Sequence, residues 1–237
     1  MSLRNRTSVI TGATGGLGSF LAHTLAEEGS NLALLDRHPD KLAALIKSIG
    51  APESQILASN VDLIDPIKTD FAAEEVVARF GQVDILLHLV GGWTGGKTLL
   101  DTPADDLALM INQHIWTSFN VTKAFVPHLV KNGWGRVVMI TSPTATRPGI
   151  KSGPYAIGKS GQEGLMMTLS QELKGTGVTV NLLQVKTIDI KREKISAASP
   201  DNNSWTTPEE IAASILYLLT DEAGTINGAK IPLFGSF

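Results

Sequence analysis

Cysteine is absent from this sequence of 237 residues. The chain therefore forms no disulfide bridge and offers no thiol or thiolate to catalysis. The same absence leaves the cellular compartment open, because cysteine usage is the sequence signal that reports on the redox environment. Any chemistry must come from other side chains.

Long apolar runs and concentrated positive charge are also missing. No apolar stretch approaches the roughly 18 residues that a membrane-spanning helix needs, and the polar segment 1–8 does not resemble a secretory signal. The formal net charge is −3 and the isoelectric point is about 5.9, with no basic block. We therefore expect neither a nucleic-acid nor a membrane partner. A cytoplasmic protein with a small-molecule substrate is the default expectation.

Short apolar runs alternate with helical patterns along the whole chain. Apolar residues make up 43% of the sequence and charged residues 18%, as in globular proteins with a sizeable core. The runs lack polar alternation, which is typical of a parallel sheet that helices cover on both faces. The predicted strands are Ser8–Thr11, Asn31–Leu35, Gln55–Asn60, Ile85–Val90, Arg136–Thr141, Val178–Leu183 and Ala229–Leu233. The predicted helices are Gly18–Glu28, Pro66–Phe80, Leu107–Val130, Ala156–Leu173 and Pro208–Thr220. This order predicts one doubly wound α/β domain over residues 1–237, with a seven-stranded parallel sheet.

A glycine-rich turn, Thr11-Gly12-Ala13-Thr14-Gly15-Gly16-Leu17-Gly18, joins the first predicted strand to the first predicted helix. Glycine lets the chain turn tightly and lets backbone N–H groups approach a pyrophosphate at the positive end of a helix. In this strand–turn–helix context the pattern indicates a dinucleotide site. The predicted cofactor-binding residues of the turn are Gly12, Thr14, Gly16, Leu17 and Gly18.

Asp36 lies 24 residues beyond Gly12, at the end of the second predicted strand, and is followed by Arg37. An acid at this place accepts a hydrogen bond from the ribose 2′-hydroxyl of NAD and repels the 2′-phosphate of NADP. The Arg37 guanidinium could instead pair with that phosphate, so both residues are candidate cofactor contacts. Because Asp36 holds the strand end, we favour NAD over NADP.

Tyr155 and Lys159 are four residues apart in a predicted helix, with Ser142 thirteen residues before the tyrosine. This spacing places both side chains on one helix face. An ammonium beside a phenol favours the phenolate and lowers the tyrosine pKa from about 10. The pair is therefore a candidate proton donor, whereas the plainer interpretation is a surface helix with an exposed lysine.

These motifs together resemble the short-chain dehydrogenase/reductase family, and the resemblance extends over essentially the whole chain. The turn matches the family's Thr-Gly-x-x-x-Gly-x-Gly, and Ser142, Tyr155 and Lys159 match its catalytic residues in type and spacing. The resemblance implies a Rossmann-type fold and places Asp62, with its neighbour Leu63, at the adenine. It also implies an NAD(P)-dependent oxidoreductase without a metal, assembled as a homodimer or homotetramer.

The resemblance also implies a division of labour. Tyr155 acts as general acid/base toward the substrate oxygen while hydride moves between the nicotinamide and a carbonyl or alcohol carbon. Lys159 lowers the pKa of Tyr155 and holds the nicotinamide ribose. Ser142 donates a hydrogen bond to the same substrate oxygen and stabilises its developing charge.

The chain departs from the family pattern after the fourth predicted strand. The family's Asn-Asn-Ala-Gly is replaced by His88-Leu89-Val90-Gly91. Val90 and Gly91 are still expected to present backbone to the cofactor, whereas His88 is expected to be a core histidine. After the sixth predicted strand the usual Pro-Gly is Val185-Lys186, which leaves the backbone near Ile188, beside the nicotinamide, uncertain in shape.

The family's fourth catalytic residue, an asparagine, is a further departure. An ungapped alignment from Ser142 places His114 at its position. Asn112 lies two residues too early, which is about 200° around an α-helix. His114 is therefore the candidate for this role, and whether it substitutes for the asparagine stays open.

Three tryptophan-containing segments resemble a narrower branch, the quinonoid dihydropteridine reductases, which prefer NADH. The segments contain Trp93, Trp116 and Trp205. Trp93 and Trp205 are candidate substrate contacts that could stack on a pterin, or they could merely shape an apolar pocket. Ser142 favours carbonyl chemistry, because pterin reduction does not need a serine to polarise a carbonyl.

Residues 186–207 are charged and then polar, which predicts a mobile lid over the substrate or a solvated face. A non-catalytic NAD-binding regulatory protein is the remaining alternative, and only the altered segments 88–91 and 185–186 favour it. The intact Ser142, Tyr155 and Lys159 argue against it.

Overall fold

Seven parallel strands form the sheet of the computed structural model, which describes residues 3–234. They are β1 (Thr7–Thr11), β2 (Asn31–Asp36), β3 (Ile56–Asn60), β4 (Ile85–His88), β5 (Gly135–Thr141), β6 (Val178–Gln184) and β7 (Lys230–Pro232). Their order is β3-β2-β1-β4-β5-β6-β7, so the winding direction reverses between β1 and β4. In such sheets ligands bind beyond the carboxyl ends of the strands at this reversal.

Helices connect the strands and cover both faces of the sheet. They are α1 (Gly16–Glu27), α2 (Pro39–Ile49), α3 (Pro66–Phe80), α4 (Ala104–Met110), α5 (Thr117–Lys131), α6 (Gly153–Glu172), α7 (Glu193–Ser196) and α8 (Pro208–Leu218). One turn of π-helix, Ile111–Trp116, joins α4 to α5; we call it the π turn. Within residues 3–234, no helix is both long and apolar enough to span a bilayer.

Each face of the sheet buries its own apolar core. Helices α1, α2 and α8 contribute to one core, in which Leu25 and Ile215 are fully buried. Helices α3, α5 and α6 contribute to the other, in which Phe125 and Met166 are fully buried. Full burial of such a side chain stabilises the fold by about 1.5–3 kcal/mol. The predicted doubly wound α/β fold is confirmed.

The prediction of one continuous helix over 107–130 is wrong, because the π turn interrupts it. The Thr117 N–H bonds to the Asn112 carbonyl, five residues back. The Ser118 hydroxyl donates to the His114 carbonyl oxygen at 2.5 Å and so takes an acceptor away from the backbone ladder. Such hydroxyl-to-carbonyl bonds compete with regular α-helix and favour a local irregularity.

A helix that was not predicted and a strand that ends earlier than predicted are further differences. Helix α2 is missing from the prediction, because only Leu42 and Leu45 of its residues are buried and the apolar pattern is short. Strand β4 ends at His88 rather than at Val90. The Leu89 N–H still bonds to the Thr11 carbonyl, and the chain then leaves the sheet.

Candidate active site

The turn between β1 and α1 depends on glycine at two positions. Gly12 has φ of +66°, and a Cβ there would lie 3.3 Å from backbone atoms of Leu89 and Val90. A Cβ on Gly18 would overlap the Gly12 carbonyl oxygen. Because no side chain fits at either position, α1 packs closely against the turn and a bare backbone lies at its positive end.

A cavity of about 280 Å³ lies beyond the carboxyl ends of β1 and β2. Asp36 lines it and accepts hydrogen bonds from the Thr14 N–H at 3.0 Å and the Thr14 hydroxyl at 2.8 Å. Asp36 therefore holds the glycine-rich turn as well as facing the cavity. The other predicted cofactor residues that line this cavity are Thr14, Arg37, Asp62, Leu63, Val90 and Gly91.

A second cavity, of about 410 Å³, adjoins the first, and Gly12 and Gly91 line both. The predicted site residues around it are Gly16, Leu17, Gly18, Trp93, His114, Tyr155, Lys159 and Ile188. Together the two cavities extend from the Asp36 carboxylate at the end of β2, past the glycine-rich turn, to a group of titratable side chains, namely His114, Tyr155 and Lys159. This arrangement fits a nicotinamide dinucleotide, which when bound supplies or accepts the hydride.

Tyr155 lies in the first turn of α6, half-buried against His114. The two ring centroids are 5.6 Å apart in an edge-to-face arrangement. Burial raises the pKa of the Tyr155 phenol above its ordinary value, and a hydrogen bond with the Ser142 side chain acts in the opposite direction. This corrects the expectation that Lys159 lowers the pKa of Tyr155.

Ser142 follows β5 and is buried. Its hydroxyl donates to the Thr144 hydroxyl at 3.2 Å and accepts from the Thr144 N–H at 3.2 Å. These bonds anchor Ser142 at the start of a short 3₁₀ turn, Pro143–Ala145, while it stays in hydrogen-bonding reach of Tyr155.

The Lys159 ammonium is directed into the protein. It donates to the Ile140 carbonyl at 2.9 Å and to Gln162 Oε1 at 2.9 Å, and the residue is only 5% exposed. Burial lowers the pKa of Lys159 to about 7, while the carboxylate of Glu163 raises it. The ammonium therefore depends on its buried neighbours to stay charged near neutral pH.

Sequence reasoning missed the polar neighbours of Lys159. Glu163 is buried on α6 and accepts hydrogen bonds from the Thr141 hydroxyl at 2.9 Å and from Lys230 Nζ at 2.5 Å. Gln162 is fully buried one turn beyond Lys159. The spacing that linked Tyr155 to Lys159 could have pointed to both, because positions three and four apart share a helix face.

His114 lies in the π turn and is buried. Its Nε2 is 3.0 Å from the Gly92 carbonyl oxygen, so Nε2 carries the proton and Nδ1 is an acceptor. Nδ1 is buried without a protein partner in residues 3–234. Burial lowers the pKa of His114 to about 3, so the imidazole is neutral at physiological pH. Asn112 lines neither cavity.

His88 is a buried histidine at the end of β4. Its Nδ1 lies 2.8 Å from the Thr11 hydroxyl, while Nε2 has no hydrogen-bond partner in the described part of the chain. Burial, with smaller contributions from Lys159 and His114, lowers the pKa of His88 to about 3.

The two candidate substrate tryptophans lie in different surroundings. Trp93 is 65% exposed and lines the second cavity. Trp205 is half-buried and lines neither cavity. Its backbone N–H donates a hydrogen bond to the Asn202 carbonyl. The structure therefore brings Trp93, but not Trp205, to Tyr155.

Segment 186–207 lies over the glycine-rich turn. The Ile190 side chain is so close to Gly16 that a Cβ there would lie 2.7 Å from it. Arg192 pairs with Glu209 at 2.5 Å and Lys194 pairs with Glu210 at 3.0 Å, which links the segment to α8. The charge run is thus partly paired rather than wholly solvated.

Comparison with known proteins identifies the family of the chain. Residues 6–197 match the family model described as short chain dehydrogenase. An acetoacetyl-CoA reductase from Allochromatium vinosum is 30% identical over 242 residues, which cover 97% of each chain. A D-beta-hydroxybutyrate dehydrogenase from Rhizobium meliloti is 28% identical over 254 residues, which cover 98% of each. The crystal structure of a short chain dehydrogenase from Bacillus anthracis has a TM-score of 0.88 at 24% identity, covering 99% of this chain and 97% of the other.

These relatives favour neither a pterin reductase nor a non-catalytic binding protein, because both curated relatives are named as a reductase or a dehydrogenase. The chain belongs to the short-chain dehydrogenase/reductase family and is an NAD(P)-dependent oxidoreductase that acts on a small-molecule substrate.

Proposed function

We propose that the protein interconverts a ketone and a secondary alcohol, with Tyr155 as the general acid/base. One observation carries this proposal: Tyr155, Lys159 and His114 line one cavity, and the Ser142 side chain lies close enough to Tyr155 to lower its pKa against the effect of burial. A phenol with a raised pKa is protonated at neutral pH and is suited to donate its proton to the oxygen of a ketone.

Ser142 and Lys159 support that proton transfer in different ways. Ser142 is proposed to donate a hydrogen bond to the same substrate oxygen, where negative charge develops. Lys159, which lines the cavity beside Gly91, is proposed to hold the nicotinamide ribose.

The names of the relatives suggest a substrate with oxygen on the third carbon of an acyl chain. We propose a 3-oxoacyl or 3-hydroxyacyl compound for this chain as well. Lys186 lines the same cavity as Trp93. Its ammonium, which donates to the Ser204 hydroxyl at 3.4 Å, offers a partner for a carboxylate or phosphate on such a substrate.

NAD is the proposed cofactor. The Asp36 carboxylate lines the cavity beyond β2 and is positioned by Thr14 and the His38 N–H. A fixed carboxylate suits a ribose 2′-hydroxyl and repels a 2′-phosphate. Arg37 lines the same cavity and is the residue that would favour NADP.

We further propose that residues 1–237 act as one domain in which segment 186–207 forms the lid. A homodimer or homotetramer is proposed because apolar side chains of α3, the π turn and α5 are exposed, namely Ile67, Phe71, Trp116 and Phe119. Light scattering coupled to gel filtration tests the assembly. The cytoplasmic location stays a prediction.

The decisive experiment follows NADH oxidation with acetoacetyl-CoA, simple ketones and quinonoid dihydropterin. We expect turnover with a ketone, its loss in Tyr155→Phe, and NADH affinity unchanged by that substitution. Ser142→Ala should lower the ketone rate. A strong pterin rate that Ser142→Ala leaves intact, or turnover retained by Tyr155→Phe, would contradict the proposal.

A further inference from the structure

Gln162 is a fully buried amide on α6, and both ends of its side chain are hydrogen-bonded. Its Oε1 accepts from Lys159 Nζ at 2.9 Å, and its Nε2 donates to the Ser118 hydroxyl at 2.9 Å. Because an ammonium can only donate, the oxygen of the amide must face Lys159. The orientation of Gln162 is therefore determined by its partners.

The hydrogen-bond chain continues into the π turn. The Ser118 hydroxyl accepts from Gln162 and donates to the His114 carbonyl oxygen at 2.5 Å. Three hydrogen bonds thus run from the ammonium of Lys159 to the backbone that carries the His114 ring. Lys159, Gln162, Ser118 and His114 are all buried, so these hydrogen bonds are shielded from water.

We propose that Gln162 is a positioning residue, which aims the Lys159 ammonium and ties it to the π turn that holds His114 against Tyr155. An ammonium has three N–H groups. The Ile140 carbonyl and Gln162 take two, which leaves one for the cavity that Lys159 lines. This inference rests on the proposed role of Lys159 but adds a residue that never touches substrate or cofactor.

The charge of Lys159 depends on groups from several elements. His88 at the end of β4 and His114 in the π turn are neutral near pH 7 and face the ammonium across the site. On α6 itself the carboxylate of Glu163 favours the charged form. The remaining titratable groups nearby are Tyr155, on the same helix face, and Lys230 of β7, which pairs with Glu163. Gln162 is the uncharged acceptor among them.

Two substitutions at one position separate positioning from mere packing. Gln162→Met keeps a long, unbranched side chain but removes the acceptor, so the charged form of Lys159 loses a hydrogen bond. Gln162→Glu keeps the shape and adds a negative charge beside the ammonium. The matched control is Ser170→Ala, which removes a different buried polar group of α6. The Ser170 hydroxyl donates to the Met167 carbonyl at 2.7 Å and accepts from Gln171 Nε2 at 3.4 Å.

The experiment is an NMR titration of ¹³Cε-labelled lysine in the full chain, with the Lys159 signal assigned by Lys159→Met. We expect the pKa of Lys159 to fall by about one in Gln162→Met, because a hydrogen bond to the charged form is lost. It should rise in Gln162→Glu and stay unchanged in Ser170→Ala. The alkaline limb of the pH profile for NADH-dependent reduction of acetoacetyl-CoA should move in the same directions.

An unchanged pKa of Lys159 in both Gln162 variants would overturn the inference. If Gln162→Met does not fold, the near-isosteric Gln162→Glu provides the test. An unchanged pKa of Lys159 in that variant also contradicts the proposed positioning of Lys159 by Gln162. The titration needs neither substrate nor turnover. A failure of the proposed function, seen as full activity in Tyr155→Phe, is therefore distinguishable from a failure of this inference.

Discussion

The imidazole Nε2 of His114 lies 3.0 Å from the carbonyl oxygen of Gly92. A carbonyl oxygen only accepts hydrogen bonds, so this single contact fixes the tautomer of the ring. It leaves Nδ1 as a buried acceptor close to Gly91. A Cβ added at Gly91 would lie 3.6 Å from His114 Nδ1 and 3.8 Å from Lys159 Nζ. A neutral histidine, whose Nδ1 has no hydrogen-bond partner in residues 3–234, therefore lies where the ungapped alignment predicts the family's asparagine.

The first prediction concerns that histidine. His114→Phe keeps an aromatic ring beside Tyr155 but removes both ring nitrogens, so the carbonyl of the exposed Gly92 loses this donor and can bond to water instead. We expect a loss of about 0.5–1.5 kcal/mol in the free energy of unfolding and a fall in kcat on the order of tenfold or more. Steady-state kinetics and urea unfolding measure both effects.

His114→Asn should retain more activity than His114→Phe, because an amide can again offer a donor to Gly92. His128→Asn, a half-buried histidine elsewhere on α5, is the control for the chemistry of the substitution. Equal activity of wild type and His114→Phe would show that the ring nitrogens play no part.

The second prediction concerns acid stability. His88 and His114 have folded-state pKa values of about 3, whereas an unfolded histidine titrates near 6.5. Between these values the unfolded chain binds more protons than the folded chain. The free energy of unfolding should therefore rise with pH from about 3 to about 6.5 and be lost as pH falls through that window.

Urea unfolding at several pH values tests this dependence. His88→Asn should reduce the slope of stability against pH, because one of the two histidines no longer titrates. A wild-type stability that does not vary between pH 4.5 and 6.5 would contradict the prediction.

The third prediction compares two glycine-to-alanine substitutions. Gly18→Ala places a methyl group against the Gly12 carbonyl oxygen, and overpacking of this kind costs about 1–3 kcal/mol. Displacement of the turn should also weaken NADH binding. Gly164→Ala, on α6, meets open space and should raise stability by about 0.5–1 kcal/mol.

Thermal unfolding and NADH fluorescence titration measure these two quantities. The contrast between the variants is the test, because both add the same methyl group to a helix. If Gly18→Ala binds NADH as wild type does, the close contact between α1 and the turn does not shape the site.

The fourth prediction concerns cofactor choice. Wild-type protein should prefer NADH, and Asp36→Ala should raise the ratio of kcat/KM for NADPH to that for NADH by about tenfold or more, the equivalent of one charged hydrogen bond. Thr14 loses its acceptor in the same variant, so stability should fall as well. Asp40→Ala, in the exposed first turn of α2, should leave the ratio of kcat/KM values unchanged. A wild-type preference for NADPH would refute the role given to Asp36.

The parts of the site that follow local rules were predictable from the sequence. The turn from Gly12 to Gly18 and the pair Tyr155–Lys159 depend on positive φ, close backbone approach and helical spacing. The π turn was not predictable, because it depends on how the Ser118 hydroxyl competes with backbone donors. The pKa of Tyr155 was given the wrong direction, because burial of the phenol raises it and the Lys159 ammonium donates to the Ile140 carbonyl and to Gln162 instead.

The Ile190 side chain packs directly against the backbone of the glycine-rich turn at Gly16. Because of this contact, the absence of a side chain at Gly16 has two separate consequences. A bare α-carbon at position 16 is proposed to leave room for a phosphate, and it also accommodates the Ile190 side chain of segment 186–207. An alanine at position 16 would force that side chain to move even with no dinucleotide present. Substitutions at Gly16 therefore test the covering of the site by this segment together with ligand binding, whereas Gly18→Ala tests the shape of the turn and, through it, NADH binding.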